Sequence, residues 1–307
     1  MPTVETIRGP VDTADLGATL MHEHVFVLST EHVQNYGVGA WWDEDERVAD
    51  AVDKLDELKS LGIDTIVDPT VWGLGRYIPR VQRVAEQTDV HIIVATELYT
   101  YDEIPHQYEH RGPGLALDLP TDPMVDDFTR DVRDGIADTG VKAAFLKCVV
   151  EAKGLTPGVE RNLRACAATH RATGAPITVH TSSHNEAGRL AVQVFREEDV
   201  DLTKVVIGHA GDSNDLDYLT GLADVGCLLG MDRFGLDIYN PTEAGSTRSS
   251  RWPSGAMPTA WCWRTTPAAS STTSPTRRRG PRSSRSSRTG TSRTSARTSC
   301  RRCATAG

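Results

Sequence analysis

The chain has 307 residues and a formal net charge of −9. That length suits one large α/β domain or two small ones. Met1-Pro2-Thr3-Val4-Glu5 shows no basic stretch leading into an apolar one, and no apolar run reaches membrane-spanning length, so neither a leader nor a membrane span is expected. The six cysteines lack framework spacing, and Cys148, Cys166 and Cys227 sit inside apolar segments. This argues for buried thiols in a reducing cytoplasm and against a disulfide scaffold.

In chain order, strand and helix patterns alternate. Ala18–Val27 reads as a strand. Asp43–Leu61 reads as an amphipathic helix, with Val48, Val52, Leu55, Leu58 and Leu61 at helical spacing and Gly62 as its stop. Strands follow at Ile63–Asp68, His91–Leu98, Val141–Val150, Pro176–His180, Val205–His209 and Gly226–Asp232. Helices lie between them at Tyr77–Gln87, Thr121–Thr139, Thr156–Thr173, Asn185–Glu198 and Ser213–Leu222. Thr121-Asp122-Pro123 supplies a cap and first turn, and Gly174 a C-terminal stop. Seven short β/α units predict a (β/α)8 barrel. A doubly wound open sheet is the runner-up, weakened because no Gly-x-Gly-x-x-Gly follows the first strand.

The pattern then breaks. From Ala244 to Gly307 the chain holds 13 arginines and no Asp, Glu, Lys, Leu, Ile, Val, Phe, Tyr, His, Asn or Gln, while all 42 acids lie before it. Such a Ser/Thr/Arg-rich tail cannot build a packed core. The expected division is a barrel over residues 1–243, through strand seven, and a tail over 244–307 standing where strand eight and the last helices belong. Cys300-Arg301-Arg302-Cys303 has CxxC form but falls in that tail.

Function is read at the strand ends, where barrels of this kind place their active sites. In Met21-His22-Glu23-His24, alternate strand residues aim His22 and His24 to one side, an arrangement suited to a metal ion. Lys147, His180 and His209 each close an apolar run at corresponding ends of later strands. A lysine ammonium has no lone pair to offer a metal. Lys147, flanked by Phe145, Leu146, Cys148 and Val149, is expected to be desolvated and neutral, and so able to add carbon dioxide and become a carboxylate.

These segments, with Gly230-Met231-Asp232-Arg233-Phe234-Gly235, resemble the phosphotriesterase family of the amidohydrolase superfamily, and within it most of all the phosphotriesterase-like lactonases. The resemblance runs through residues 1–243. It implies a TIM barrel whose carboxylated Lys147 bridges two divalent metals, zinc first and cobalt or iron as alternatives. His22 and His24 would hold the more buried ion, and His180 and His209 the more exposed one. It implies metal-assisted hydrolysis of N-acyl homoserine lactones, with a side activity on organophosphate triesters. Tyr99 and Arg233 match family positions beside the substrate. It further implies a homodimer, with Trp41-Trp42 either at its interface or covering the barrel, and a small-molecule substrate rather than nucleic acid or membrane.

One element of the family is missing from this sequence. The family's last ligand is an Asp, usually in His-Asp, after strand eight, whereas the last acid here is Glu243. Read one base out of frame, the codons for Met257–Pro267 permit a segment of the form Met-Val-Leu-Ala-His-Asp, with Tyr-Ala-Asp-Arg just upstream. The His-Asp then falls across Arg264, Thr265 and Thr266. A one-base slip between about Pro241 and Thr247 is therefore expected, leaving a family hydrolase of doubtful activity. The other readings are an inactive barrel remnant, a hydrolase of the superfamily acting on amides or phosphate esters, and a genuine basic tail.

Overall fold

The computed structural model describes residues 2–37, 42–233 and 236–241, and the backbone of 261–263. A small antiparallel hairpin comes first, β1 (Thr3–Thr6) with β2 (Gly9–Asp12). The barrel elements follow: β3 (Thr19–Leu20), α1 (Thr30–Tyr36), α2 (Glu44–Ser60), β4 (Thr65–Asp68), α3 (Ile78–Ala85) and β5 (His91–Thr96). A short excursion carries α4 (His106–Glu109), β6 (Arg111–Gly112) and β7 (Leu117–Asp118). The alternation resumes with α5 (Pro123–Arg133), β8 (Phe145–Val150), α6 (Pro157–Thr173), β9 (Ile177–Thr181), α7 (Ala187–Glu197), β10 (Val205–Gly208), α8 (Leu216–Asp224), β11 (Leu228–Met231) and β12 (Trp261–Trp263).

Eight strands form one parallel sheet in the order β12-β11-β10-β9-β8-β5-β4-β3. Within this sheet each strand lies beside the next that the chain contributes to it, β6 and β7 pairing apart, as a β/α barrel requires. The sheet curls, because His22, just after β3 at one edge, meets Asp232, just after β11 near the other, at 2.8 Å. Alternation along the strands sorts the core into layers. Val67, Ile93, Ala95 and Phe145 make one cluster, while Ile66, Ile92 and Val94 pack with residues of α2 and α3. Leu146, Cys148, Ile177, Val179 and Ile207 pack with residues of α6, α7 and α8.

Local chemistry sets the helix ends. The Asp43 side chain accepts from the backbone of Asp45 and Glu46 to open α2. Thr156 caps α6, Pro157 occupies its first turn, and Gly174 ends it at φ 76°.

The expected elements are present, but several are shorter. The predicted strand 18–27 pairs only over Thr19–Leu20, because Val25 and Leu28 then bond to the Asp68 side chain and the Leu74 carbonyl instead of a strand ladder. The predicted helix 121–139 stops at Arg133, where Gly135 turns at φ 127°. The sequence pattern also missed the first hairpin, α1 and α4. It gave no eighth strand, yet Trp261–Trp263 pairs in parallel with Leu229–Met231 and takes that place. The rest of the tail, with Thr265, Thr266 and the Cys300–Cys303 pair, lies outside the described residues. Trp41 does too, whereas Trp42 is buried against Phe26 and Arg80 and so covers the barrel. Among the described residues no helix is long and apolar enough to cross a membrane.

Candidate metal centre

The C-terminal strand ends deliver polar side chains to one point. The His22 segment is pinned by the Glu23 N–H on the Val67 carbonyl. Lys147 and His180 come from β8 and β9, on the faces opposite the outward-packed Cys148 and Val179. His209 leaves β10 with φ 61°, a left-handed turn rare for a residue with a Cβ, and Asp232 follows β11 directly. Two glycines make room beneath them. A Cβ on Gly230 would stand 2.9 Å from the Gly208 Cα and 3.0 Å from an Asp232 oxygen.

Asp232 is the hub of the cluster. Its carboxylate accepts from His22 Nδ1 at 2.8 Å, from His209 Nδ1 at 2.9 Å and from the His209 backbone N–H at 3.1 Å. Burial would raise its pKa, but these donors hold it well below the usual carboxylate range. Burial also keeps the histidines neutral. His22 and His180 are each lowered to about 4, and His209 well below its ordinary value. A neutral imidazole that donates from Nδ1 keeps its lone pair on Nε2. His22 Nε2 faces the Lys147 Nζ at 3.2 Å, and His209 Nε2 faces His180 Nδ1 at 3.0 Å.

Lys147 is fully buried, and burial lowers its pKa to about 7, so a large share of it is uncharged amine near neutrality. This agrees with the desolvation expected from its apolar neighbours.

The donor set fits metal ions. His180 Nε2 lies 2.7 Å from Glu151 Oε1, and donation there leaves Nδ1 as an acceptor. His180 Nδ1 and His209 Nε2 are then two lone pairs held 3.0 Å apart, an arrangement that a shared cation relieves. One ligand atom each from His22, His209 and Asp232 falls within 4.8 Å of the others.

The remaining predicted residues divide. The His24 ring is 5.6 Å from that of His22, but its Nδ1 bonds to Thr70 Oγ1 at 2.8 Å, and Thr70 donates to Asp68. The Tyr99 hydroxyl reaches His180 Nδ1 at 3.1 Å and Tyr101 at 2.9 Å, and burial pushes its pKa up, so it stays a neutral phenol. Arg233 bonds to Asp212 at 2.7 Å and stacks on Tyr239 at 4.2 Å. It thus joins a salt bridge at the rim of the cluster. Sequence reasoning missed Asp232 and Glu151. Asp232 carried the same signal as the histidines, a polar residue closing an apolar run, and was passed over for the adjacent Arg233.

The model of the phosphotriesterase family matches residues 2–250. The chain belongs to the phosphotriesterase family. Its members are metal-dependent hydrolases. A phosphotriesterase homology protein of Mycobacterium tuberculosis is 57% identical over 243 residues, 79% of this chain and 74% of that one. An aryldialkylphosphatase of Saccharolobus solfataricus is 35% identical over 236 residues, 77% of this chain and 72% of that one. The solved structure of the phosphotriesterase from Mycobacterium tuberculosis superposes with a TM-score of 0.79 at 55% identity, covering 83% of this chain and 78% of that one.

Proposed function

We propose that the body of this chain is a lactone-opening hydrolase of the phosphotriesterase family, acting on N-acyl homoserine lactones and more weakly on organophosphate triesters. The observation that carries the reading is the convergence of His22, Lys147, His180 and His209 on one point, with Lys147 uncharged near neutrality. His22, His24, His180, His209 and a carboxylated Lys147 would hold two divalent ions, zinc first and cobalt or iron as alternatives. Such ions make water nucleophilic near neutral pH and polarise an ester carbonyl or phosphoryl oxygen.

The chain's own groups have definable tasks. Asp232 holds a proton on Nδ1 of both His22 and His209, turning their Nε2 atoms inward. Glu151 does the same for His180 from its Nε2 side. Tyr99, a protonated phenol beside His180, donates to a substrate oxygen. Arg233 lends positive charge at the rim while Asp212 fixes its guanidinium. The resemblance to an aryldialkylphosphatase supports the phosphotriester activity.

The tail belongs to the same proposal. We read residues 244–307 as out of frame, which removes the family's strand-eight Asp and leaves this chain impaired; the family match ending at residue 250 and the abrupt change of composition support this. Homodimerisation and a cytoplasmic location are proposed with it. The test measures metal content and lactone turnover of this chain beside a version restored to frame after about codon 241. Two metals and turnover in the restored form alone support the hydrolase reading and the slip. A restored form that binds metal but turns over amides and no lactone or triester refutes the substrate class. An unbroken genomic frame that encodes this tail refutes the slip.

A further inference from the structure

A second cluster lies behind the barrel wall. Cys148 follows Lys147 on β8 but packs outward among residues of α6 and β9. Cys166 stands on α6 and Glu97 directly follows β5, the neighbour of β8. All three are fully buried, and one ligand atom from each lies within 4.8 Å of the others.

Glu97 is the anomaly. Both carboxylate oxygens are buried with no well-formed hydrogen bond, and the one neighbour that offers them a hydrogen is the Cys166 thiol, a weak donor. Its φ of 118° belongs to a region that glycine occupies and side chains avoid. Burial pushes its pKa well above the ordinary carboxylate range, offset only in part by the Cys166 thiol. Protonation would not settle the matter, since the acid would still have a donor to place. A second buried oxygen lies nearby in sequence. Asn162, one turn before Cys166 on α6, donates to the Leu98 carbonyl, next to Glu97, while its own Oδ1 has no partner. A buried carboxylate served only by a weak thiol donor, with two thiols in reach of it, forms an incomplete coordination set rather than an apolar core.

We propose that Glu97, Cys148 and Cys166 bind a divalent ion of the zinc class at a site separate from the strand-end centre. Two thiolates and a carboxylate select zinc or cobalt over calcium or magnesium. As the ion enters, each thiol releases one proton to solvent, and the Glu97 carboxylate exchanges a weak thiol donor for a cation. No electron transfer is involved. The site braces α6 against β5 and β8 and takes no part in hydrolysis.

Cobalt loading tests this on the full-length chain carrying Cys262→Ser, Cys300→Ser and Cys303→Ser, so that the tail contributes no thiolate. The strand-end residues offer nitrogen and oxygen donors, so a thiolate-to-cobalt charge-transfer band in the near ultraviolet reports the second site. The expected result is that band together with one cobalt equivalent, both lost in Cys166→Ala. Glu97→Gly, whose backbone conformation glycine adopts without strain, is expected to weaken binding at this site at least tenfold. Absence of the band at saturating cobalt overturns the proposal. So does a band that survives Cys166→Ala, or an intact mass two daltons low that reveals a Cys148–Cys166 disulfide instead.

Discussion

Asp232 grips His209 twice, through the ring Nδ1 at 2.9 Å and through the backbone N–H at 3.1 Å. The double contact fixes both the tautomer and the position of an imidazole whose backbone stands in a left-handed turn. Asp232→Asn keeps the shape, but its amide presents a donor where two imidazole N–H groups need acceptors. Metal affinity is expected to fall by about 10–100-fold. Metal titration of the chelator-stripped protein checks this, and unchanged affinity would show that the carboxylate orients nothing.

Lys147 separates stability from function. A fully buried amine has lost its hydration, so Lys147→Met, similar in length and apolar, is expected to leave the melting temperature of the metal-free protein unchanged or raised. The same change is expected to abolish binding of the ion pair. Calorimetry beside elemental analysis gives both readings; a large drop in melting temperature would mean that the lysine is a structural prop.

The pH dependence of the metal-free protein follows from the buried histidines. His22 and His180 have folded pKa values of about 4 against 6.5 when unfolded. Between those values the unfolded chain binds more protons, so stability rises with pH from about 4 to 6.5 and is lost as pH falls through that window. Asp68 acts in the opposite sense, because burial raises it from 3.8 to about 6. Asp68→Asn should therefore steepen the acid limb. Denaturant midpoints at intervals from pH 4 to 7 measure this, and a flat profile in both proteins would contradict it.

Gly230 admits no side chain. In Gly230→Ala the new Cβ would meet the Gly208 Cα at 2.9 Å and the Ile207 carbonyl at 3.0 Å, both backbone and unable to yield. A loss of about 1–3 kcal/mol is expected. Because an Asp232 oxygen is also 3.0 Å away, metal affinity should fall with it. An alanine variant of wild-type stability would mean that the two strands part more easily than their contacts suggest.

Much of this was legible in the sequence. Lys147, His180 and His209 each close an apolar run, and strand alternation alone predicts that such ends meet in a barrel. Helices with clear punctuation, such as α6 between Thr156 and Gly174, were placed to within a residue. The losses came where side chains replace the backbone ladder. After Leu20 the chain bonds to Asp68 and Leu74, contacts distant in sequence, and the apparent strand dissolves. The hairpin β1–β2 escaped notice because each strand has four residues and the turn relies on Gly9 at φ 100°. His24 has the spacing for a partner of His22; no pattern in the sequence shows that Thr70 bonds its Nδ1, a contact that leaves Nε2 for a ligand.

The bond from His22 to Asp232 has a bearing on biosynthesis. It joins the end of the first barrel strand to the end of the seventh, so neither residue can find the other until nearly all of the body has left the ribosome. Contacts of such long sequence separation form late and slowly. During that wait the Lys147 amine has no enclosed pocket, so any metal capture there belongs to the final act of maturation and cannot guide the earlier ones.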